Sequence, residues 1–276
     1  MFRPARRVAT VTAAAALAFG LAACDTVGSG ASTDYVTDGT FTVATGEPAY
    51  PPYVLDDDPS SGEGFESAVA YAVAAELGFA AEDVVWVRAT WDETIAPGPK
   101  DYDINLQQVT ISDDRAGDID FTSPYYTAPQ AIITVAGSAA DGITSISELA
   151  GLQIGAATGT TSLTTIEEVV QPGQAPAVFN SNDDAVLALQ NNQVDAIVVD
   201  LPTALYLTAA VLDSGVVLGQ FPVGPVGDQW GIVLEKNSPL TTRVSAAVDA
   251  IIASGELERI TTEWMSDWAG APILAP

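Results

Sequence analysis

Short β-type runs and helical-period runs take turns along this chain. Thr40-Phe41-Thr42-Val43-Ala44-Thr45 predicts a strand ended by Gly46. Gly64 to Gly78 predicts an amphipathic helix with Phe65, Val69, Ala72, Val73 and Leu77 on one face and Gly78 as its C-cap. Val84-Val85-Trp86-Val87 predicts the next strand, and Asp103-Ile104-Asn105-Leu106 leads into a further short alternating segment. The apolar run Ala131 to Val135 predicts a buried strand, followed by a strand at Leu152 to Ala156, a helix at Ala185 to Leu189 and a β-branched strand at Gln193 to Asp200. A strand at Gln229 to Leu234 and two amphipathic helices, Leu240 to Ser254 and Glu256 to Trp268, end the chain, with Trp264 and Trp268 as packing residues. Strands alternating with helices in this way predict an α/β fold, and 276 residues suffice for two lobes.

The first residues follow a different rule. Arg3, Arg6 and Arg7 precede an uncharged apolar run from Val8 to Ala23, which predicts a secretory signal peptide over residues 1–23. The run is short for a membrane span and ends at the single cysteine. Leu21-Ala22-Ala23-Cys24 resembles the bacterial lipobox, which implies cleavage before Cys24 and a lipid on it; the alternative is a plain secretory signal. Residues 24–37, small and polar without a period, predict a flexible tether, so the body is expected on the outer face of the membrane, held by its lipid alone. One cysteine allows no disulfide within the chain.

Charge then narrows the chemistry. Without the signal the chain keeps six of its nine basic residues against all 36 acidic ones, a net charge of −30. Nucleic acid is a poor partner for such a body. Histidine is absent, which excludes Ser-His and Cys-His catalysis and His-ligated metal. No metal or cofactor is expected.

Three stretches carry candidate chemistry. The loop Glu47-Pro48-Ala49-Tyr50-Pro51-Pro52-Tyr53 lies just past a strand, where open α/β sheets bind ligands; its prolines stiffen the frame of both tyrosines, Tyr53 as packing and Tyr50 toward a binding face. Arg115, one of few cations, is a fork suited to a carboxylate, although pairing with Asp113, Asp114 or Asp118 is the plainer account of it. Thr158-Gly159-Thr160-Thr161-Ser162 opens a helix, either as an anion site or as an ordinary N-cap run. Asp200, at a strand tip before Pro202, is an N-cap or a ligand for a cation.

Thr-Gly-Glu-Pro-Ala-Tyr-Pro-Pro-Tyr, then Gly-Phe-Glu with its helix, then Val-Thr-Ile-Ser-Asp-Asp-Arg and Ile-Asp-Phe-Thr-Ser-Pro-Tyr-Tyr, in this order, resemble the family 3 extracellular solute-binding proteins, the amino-acid receptors of ABC importers; the resemblance runs from residue 40 to about 270. It implies a two-lobed, type II periplasmic-binding-protein-like clamshell with two crossing strands at the hinge. Lobe 1 would be residues 38–128 plus 226–276, and lobe 2 residues 129–225. It further implies that Arg115 clamps a ligand α-carboxylate, with Thr110 binding through its N–H and hydroxyl, and Thr160 and Thr161 supplying the second half of the clamp. Gln108 would offer a carbonyl to the ligand ammonium, Asp200 would pair with that ammonium while also capping its helix, and Tyr50 and Trp91 would sandwich the ligand side chain.

Two departures touch specificity. Glu47 stands in a longer early loop, and residues 96–102 replace a helix; both are expected near the ligand side chain. Glu47, Asp92 and Glu93 suit a cationic amino acid, whereas Gln107, Gln108 and Trp91 suit an uncharged polar one. The expected protein is a monomer serving ABC permease subunits, not an enzyme. Two alternatives are a dehydratase-like enzyme of the same fold, using Glu47 or Asp92 as acid or base, and a sensing receptor without an importer.

Overall fold

The computed structural model describes residues 34–222 and 227–276. The expected signal peptide, Cys24 and most of the tether lie outside the described residues, as do residues 223–226 of the Gly/Pro-rich return segment. In chain order the elements are β1 (Phe41–Thr45), α1 (Phe65–Glu76), β2 (Val84–Arg88), α2 (Trp91–Ile95), β3 (Ile104–Asn105), α3 (Asp113–Ala116), β4 (Ile119–Ala128) and β5 (Gln130–Val135). Then follow β6 (Ile154–Ala157), α4 (Thr161–Thr165), β7 (Ala177–Phe179), α5 (Asn182–Gln190), β8 (Ala196–Asp200), α6 (Leu201–Tyr206), β9 (Gly215–Gln220), β10 (Asp228–Glu235), α7 (Thr241–Ala253) and α8 (Glu256–Met265).

These strands form two five-stranded sheets of like design, ordered β2-β1-β3-β10-β4 and β7-β6-β8-β5-β9. In each, three parallel strands meet a strand running antiparallel, β10 against β3 in the first and β5 against β8 in the second. Buried side chains explain the choice of elements. β1 is buried at every position, as a central parallel strand must be. α1 lays Phe65, Val69 and Val73 on the first sheet beside Val244 and Val248 of α7. Trp230 of β10, fully buried, gathers the rings of Tyr53, Tyr125 and Tyr126 at the centre of that core. The second sheet is packed on both faces.

The sheets are joined where β4 passes into β5 with only Pro129 between them, and again where β9 returns to β10. A third passage was not anticipated. After α8, Leu274 donates its N–H to Gln220 O, Ala275 donates to Thr144 O, and Leu274 is buried in the second core. The end of the chain therefore packs on the second sheet, where the sequence had placed all of 226–276 with the first.

The start of the described chain also differs from expectation. Residues 34–37 were expected as tether, yet Tyr35 meets Phe79 edge-on at 5.0 Å and Phe41 at 6.1 Å. Val36 N donates to Asp103 Oδ1 at 2.8 Å, while the buried Asp103 also accepts from Thr42 N. A tyrosine ring beside the buried Phe41 and the half-buried Phe79 has more to gain from packing than from solution. Tyr35→Ala is expected to lower unfolding stability by about 1–3 kcal/mol, the loss of two edge contacts and their buried area. Urea titration checks this, and an unchanged midpoint would return these residues to the tether.

Candidate functional site

The loop after β1 is fixed by a cation spent on structure. Arg88, ending β2, donates to Gly46 O at 2.7 Å and to Asp57 Oδ1 at 2.6 Å, and Asp57 in turn accepts from Ala49 N. The Tyr50 that follows is aimed at the second sheet. Its hydroxyl donates to Asp183 in the first turn of α5, and its ring lies 6.1 Å from that of Tyr206. Tyr53, two prolines later, is 1% exposed and its hydroxyl meets Thr203 Oγ1 at 2.9 Å, so this packing residue also joins the two sheets.

Arg115 stands in α3, a single turn whose N-cap Ser112 accepts from Arg115 N. Its Nη1 donates to Thr110 O at 2.7 Å on its own side, and its Nη2 donates to Gly159 O at 2.8 Å on the other. The guanidinium lies 5.2 Å from the ring centre of Trp91. Among the described residues no carboxylate pairs with it, so the plainer pairing with Asp113, Asp114 or Asp118 is not what forms. Burial pulls its pKa down, against the upward pull of Asp200 and Asp228. Trp91 is placed by the Thr90–Glu93 capping box at the start of α2, and its Nε1 is buried without a partner. Gly159 has φ +67°, and a Cβ there would stand 3.1 Å from Ile95 Cδ1 and 3.4 Å from Trp91 Nε1, so the two sides meet closely at this point.

Gln108 takes φ +52°, a left-handed conformation unusual outside glycine. A buried carboxylate holds it there: Glu66 accepts from Gln108 N at 2.9 Å and from the Gln108 side-chain amide, and also from the Tyr125 hydroxyl at 2.5 Å. Glu66 is 1% exposed, and burial pushes its pKa up to about 7 despite those donors. Gly64 permits this placement, since with φ +106° a Cβ would come within 2.5 Å of Tyr53 O. The sequence reading gave Glu66 no role. The only available signal was a carboxylate on the first turn of a helix whose neighbouring positions are all small or apolar.

From the second sheet come Thr160, Thr161, Asp183 and Asp200. Thr160 is an N-cap: its hydroxyl accepts from Leu163 N and donates to Ala157 O at 2.7 Å. Asp200 departs from expectation, because its side chain makes no cap to α6. Its Oδ1 instead accepts from Gln130 Nε2 at 2.6 Å. Burial, and then the nearby Asp228 charge, push its pKa up to about 8, with Gln130 and Arg115 pulling the other way.

All nine predicted ligand-binding residues, Glu47, Tyr50, Trp91, Gln108, Thr110, Arg115, Thr160, Thr161 and Asp200, line one cavity of about 390 Å³ between the sheets. Asp92, Gln107 and Asp183 line it too. The 96–102 segment does not: Lys100 Nζ donates to Glu93 O at 2.5 Å and Ala96 O at 2.7 Å, tying the segment to the end of α2 and away from the cavity. Among the described residues no group of three His, Cys, Asp or Glu is arranged to hold a metal ion, and no helix is long and apolar enough to cross a membrane.

Comparison with known proteins follows the same lines. Residues 42–267 match the bacterial extracellular solute-binding proteins, family 3. An L-arginine-binding protein of Pseudomonas aeruginosa is 27% identical over 230 residues, which is 80% of this chain and 86% of that one. Among solved structures, an ancestral arginine-binding protein bound to arginine superposes with a TM-score of 0.69 at 28% identity, over 83% of this chain and 99% of that chain. An ancestral amino acid-binding protein, a precursor of cyclohexadienyl dehydratase, gives 0.66 at 28% identity, over 82% and 95%.

The raised pKa values carry a sign that can be measured. Glu66 and Asp200 start from ordinary values of 4.5 and 3.8 and reach about 7 and about 8 in the fold. Between about pH 4 and 8 the folded protein thus holds protons that the unfolded chain has released, and stability falls as pH rises through that window. Carboxylates held below their ordinary range, such as Glu93, Glu148 and Asp120, act in the opposite sense but only at lower pH. The urea midpoint of the ligand-free protein is expected to drop from pH 5 to pH 8, and Asp200→Asn to flatten the upper part of the drop. A rising midpoint across this range would contradict the burial of these groups.

Proposed function

Since the chain belongs to the bacterial extracellular solute-binding proteins, family 3, we propose a role for each wall of its cavity in holding an amino acid. The protein is the solute-binding component of an ABC importer and takes a polar amino acid between its two sheets. The observation that carries the assignment is Arg115, whose charge is held by one carbonyl from each sheet and paired with no carboxylate, facing a cavity that also presents Asp200. An α-carboxylate supplies the anion that Arg115 accepts in a charge-assisted fork, with Thr110, Thr160 and Thr161 around it. An α-ammonium supplies the cation that draws Asp200 into its charged form, with the Gln108 carbonyl as second acceptor. Tyr50 and Trp91 flank the ligand side chain, and since Arg115 lies against one face of Trp91, only its other face serves the ligand.

The cavity is also lined by Glu47, Asp92 and Asp183, and among the described residues Arg115 is its one basic side chain. This favours a cationic amino acid, as bound by the L-arginine-binding relative. One observation supports an uncharged polar ligand: Gln107 Oε1 is occupied by the Thr94 hydroxyl at 2.9 Å, which leaves its amide N–H groups as donors for a side-chain carbonyl. Catalysis is the weaker reading. A carboxyl acting as general acid works best when removed from water, and Glu47 and Asp92 are both exposed. Anchoring through a lipid on Cys24 remains part of the proposal, supported by the Leu21-Ala22-Ala23-Cys24 pattern.

Isothermal titration of the protein, stripped of carried-over ligand, against the twenty amino acids tests this. L-Arginine or another polar amino acid is expected to bind at micromolar concentration or tighter. Arg115→Ala is expected to weaken it by roughly 100-fold or more, two charged hydrogen bonds, while the protein still unfolds cooperatively in urea. Binding that survives the substitution would remove Arg115 from the clamp. Silence across the panel would overturn the amino-acid reading, and a prephenate-type product assay would then decide for the enzyme.

A further inference from the structure

Gln130 is the first residue of β5, one position past the passage between the sheets, and only 6% of it is exposed. Gln130 does not line the cavity, yet its side chain bonds to residues that do. Gln130 Nε2 donates to Asp200 Oδ1 at 2.6 Å and to Asp228 Oδ2 at 2.7 Å, with Thr161 Oγ1 further off at 3.3 Å. Its Oε1 accepts from Ser162 Oγ, itself buried, at 2.6 Å. The carboxylates orient the amide, because they only accept and so require the NH₂ on their side, and the Ser162 hydroxyl, which can donate or accept, then donates to the oxygen on the other. An NH₂ has two protons, and the two closest acceptors are the two carboxylates.

The backbone makes this junction unavoidable. Gln130 is in register with Asp200 across β5–β8, and Asp228, opening β10 after the return passage, is in register with Ala128 at the end of β4. One amide therefore spans the outward passage, the return passage, the tip of β8 and the start of α4. Two carboxylates held this near each other repel, and a shared donor is what lets both stay.

We propose that Gln130 is a positioning residue: its amide fixes Asp200 Oδ1, leaves Oδ2 for the ligand's ammonium, and links occupancy of that end of the site to the two passages through Asp228. The inference rests on the amino-acid reading above. When the ammonium arrives, Asp200 takes its full charge beside Asp228, and the amide is the group that screens them from each other. Without it the ammonium end of the site fails while the carboxylate end, built on Arg115, keeps its geometry.

The test compares L-arginine with 5-guanidinopentanoate, the same molecule lacking its α-ammonium, and L-glutamine with 4-carbamoylbutanoate in parallel. Gln130→Leu is expected to weaken the amino acid about tenfold or more, the loss of a hydrogen bond to a charged group, and to leave its des-amino partner within about twofold. Adding Asp228→Asn removes the repulsion and is expected to restore most of the loss. Should Gln130→Leu not fold, Ser162→Ala, which takes away the anchor on the amide oxygen and loosens the side chain, is expected to give the same selective loss on a smaller scale. Equal weakening of both members of a pair, or no rescue by Asp228→Asn, would make Gln130 a structural residue only. If wild-type protein binds neither amino acid but does bind another member of the panel, that amino acid and its des-amino form replace the probes. If it binds none, the amino-acid reading falls, and this inference with it.

Discussion

A guanidinium held in the wall of a cavity by carbonyl oxygens alone is a charge placed but not neutralised. Taking a cation partly out of water costs free energy that good acceptors must offset. Among the described residues Arg115 finds two such acceptors, Thr110 O and Gly159 O, and no carboxylate, in a chain where carboxylates outnumber basic groups several-fold. Much of the local architecture serves that arrangement. The one-turn α3 and its Ser112 cap aim the side chain, the Trp91 ring backs it, and the left-handed Gly159 brings the opposing carbonyl within reach. An anionic group entering the cavity meets a donor fork already set.

The cavity's other pole obeys the converse rule. Asp200 is a carboxylate whose burial disfavours its charge, so its preferred visitor is a cation. In the proposed role an amino acid would satisfy both poles at once, and because Arg115 and Asp200 belong to different sheets, it would do so only when the sheets are together. Hydrogen bonds already cross between them, among them Tyr50 to Asp183, Tyr53 to Thr203 and Arg115 to Gly159 O. Each is a hydrogen bond of modest net worth, so the larger bias toward closure falls to the ligand.

The elements of the fold were legible because strand and helix periods are local properties: β1, α1, β8, β10, α7 and α8 lie where the pattern put them. The nine cavity residues were legible because their motifs occur together and in order. What escaped was set by tertiary contact. Glu66 reads as one more carboxylate in a very acidic chain until Gln108 and Tyr125 are seen to donate to it. Gln130 reads as the polar end of an apolar run until both passages between the sheets converge on it. Asp200 was expected to cap α6, but Gln130 competes for its oxygen and wins. The last residues carry no periodicity to say which sheet they join, and Tyr35 had no local partner to mark the start of the body.

A crystal structure of the complex with whichever amino acid binds would test the central claim most directly. The account requires the ligand's carboxylate within hydrogen-bond distance of the Arg115 guanidinium and its ammonium within the same distance of Asp200, inside one closed cavity. A ligand seated in that cavity with its carboxylate away from Arg115, or bound elsewhere on the protein, would contradict it.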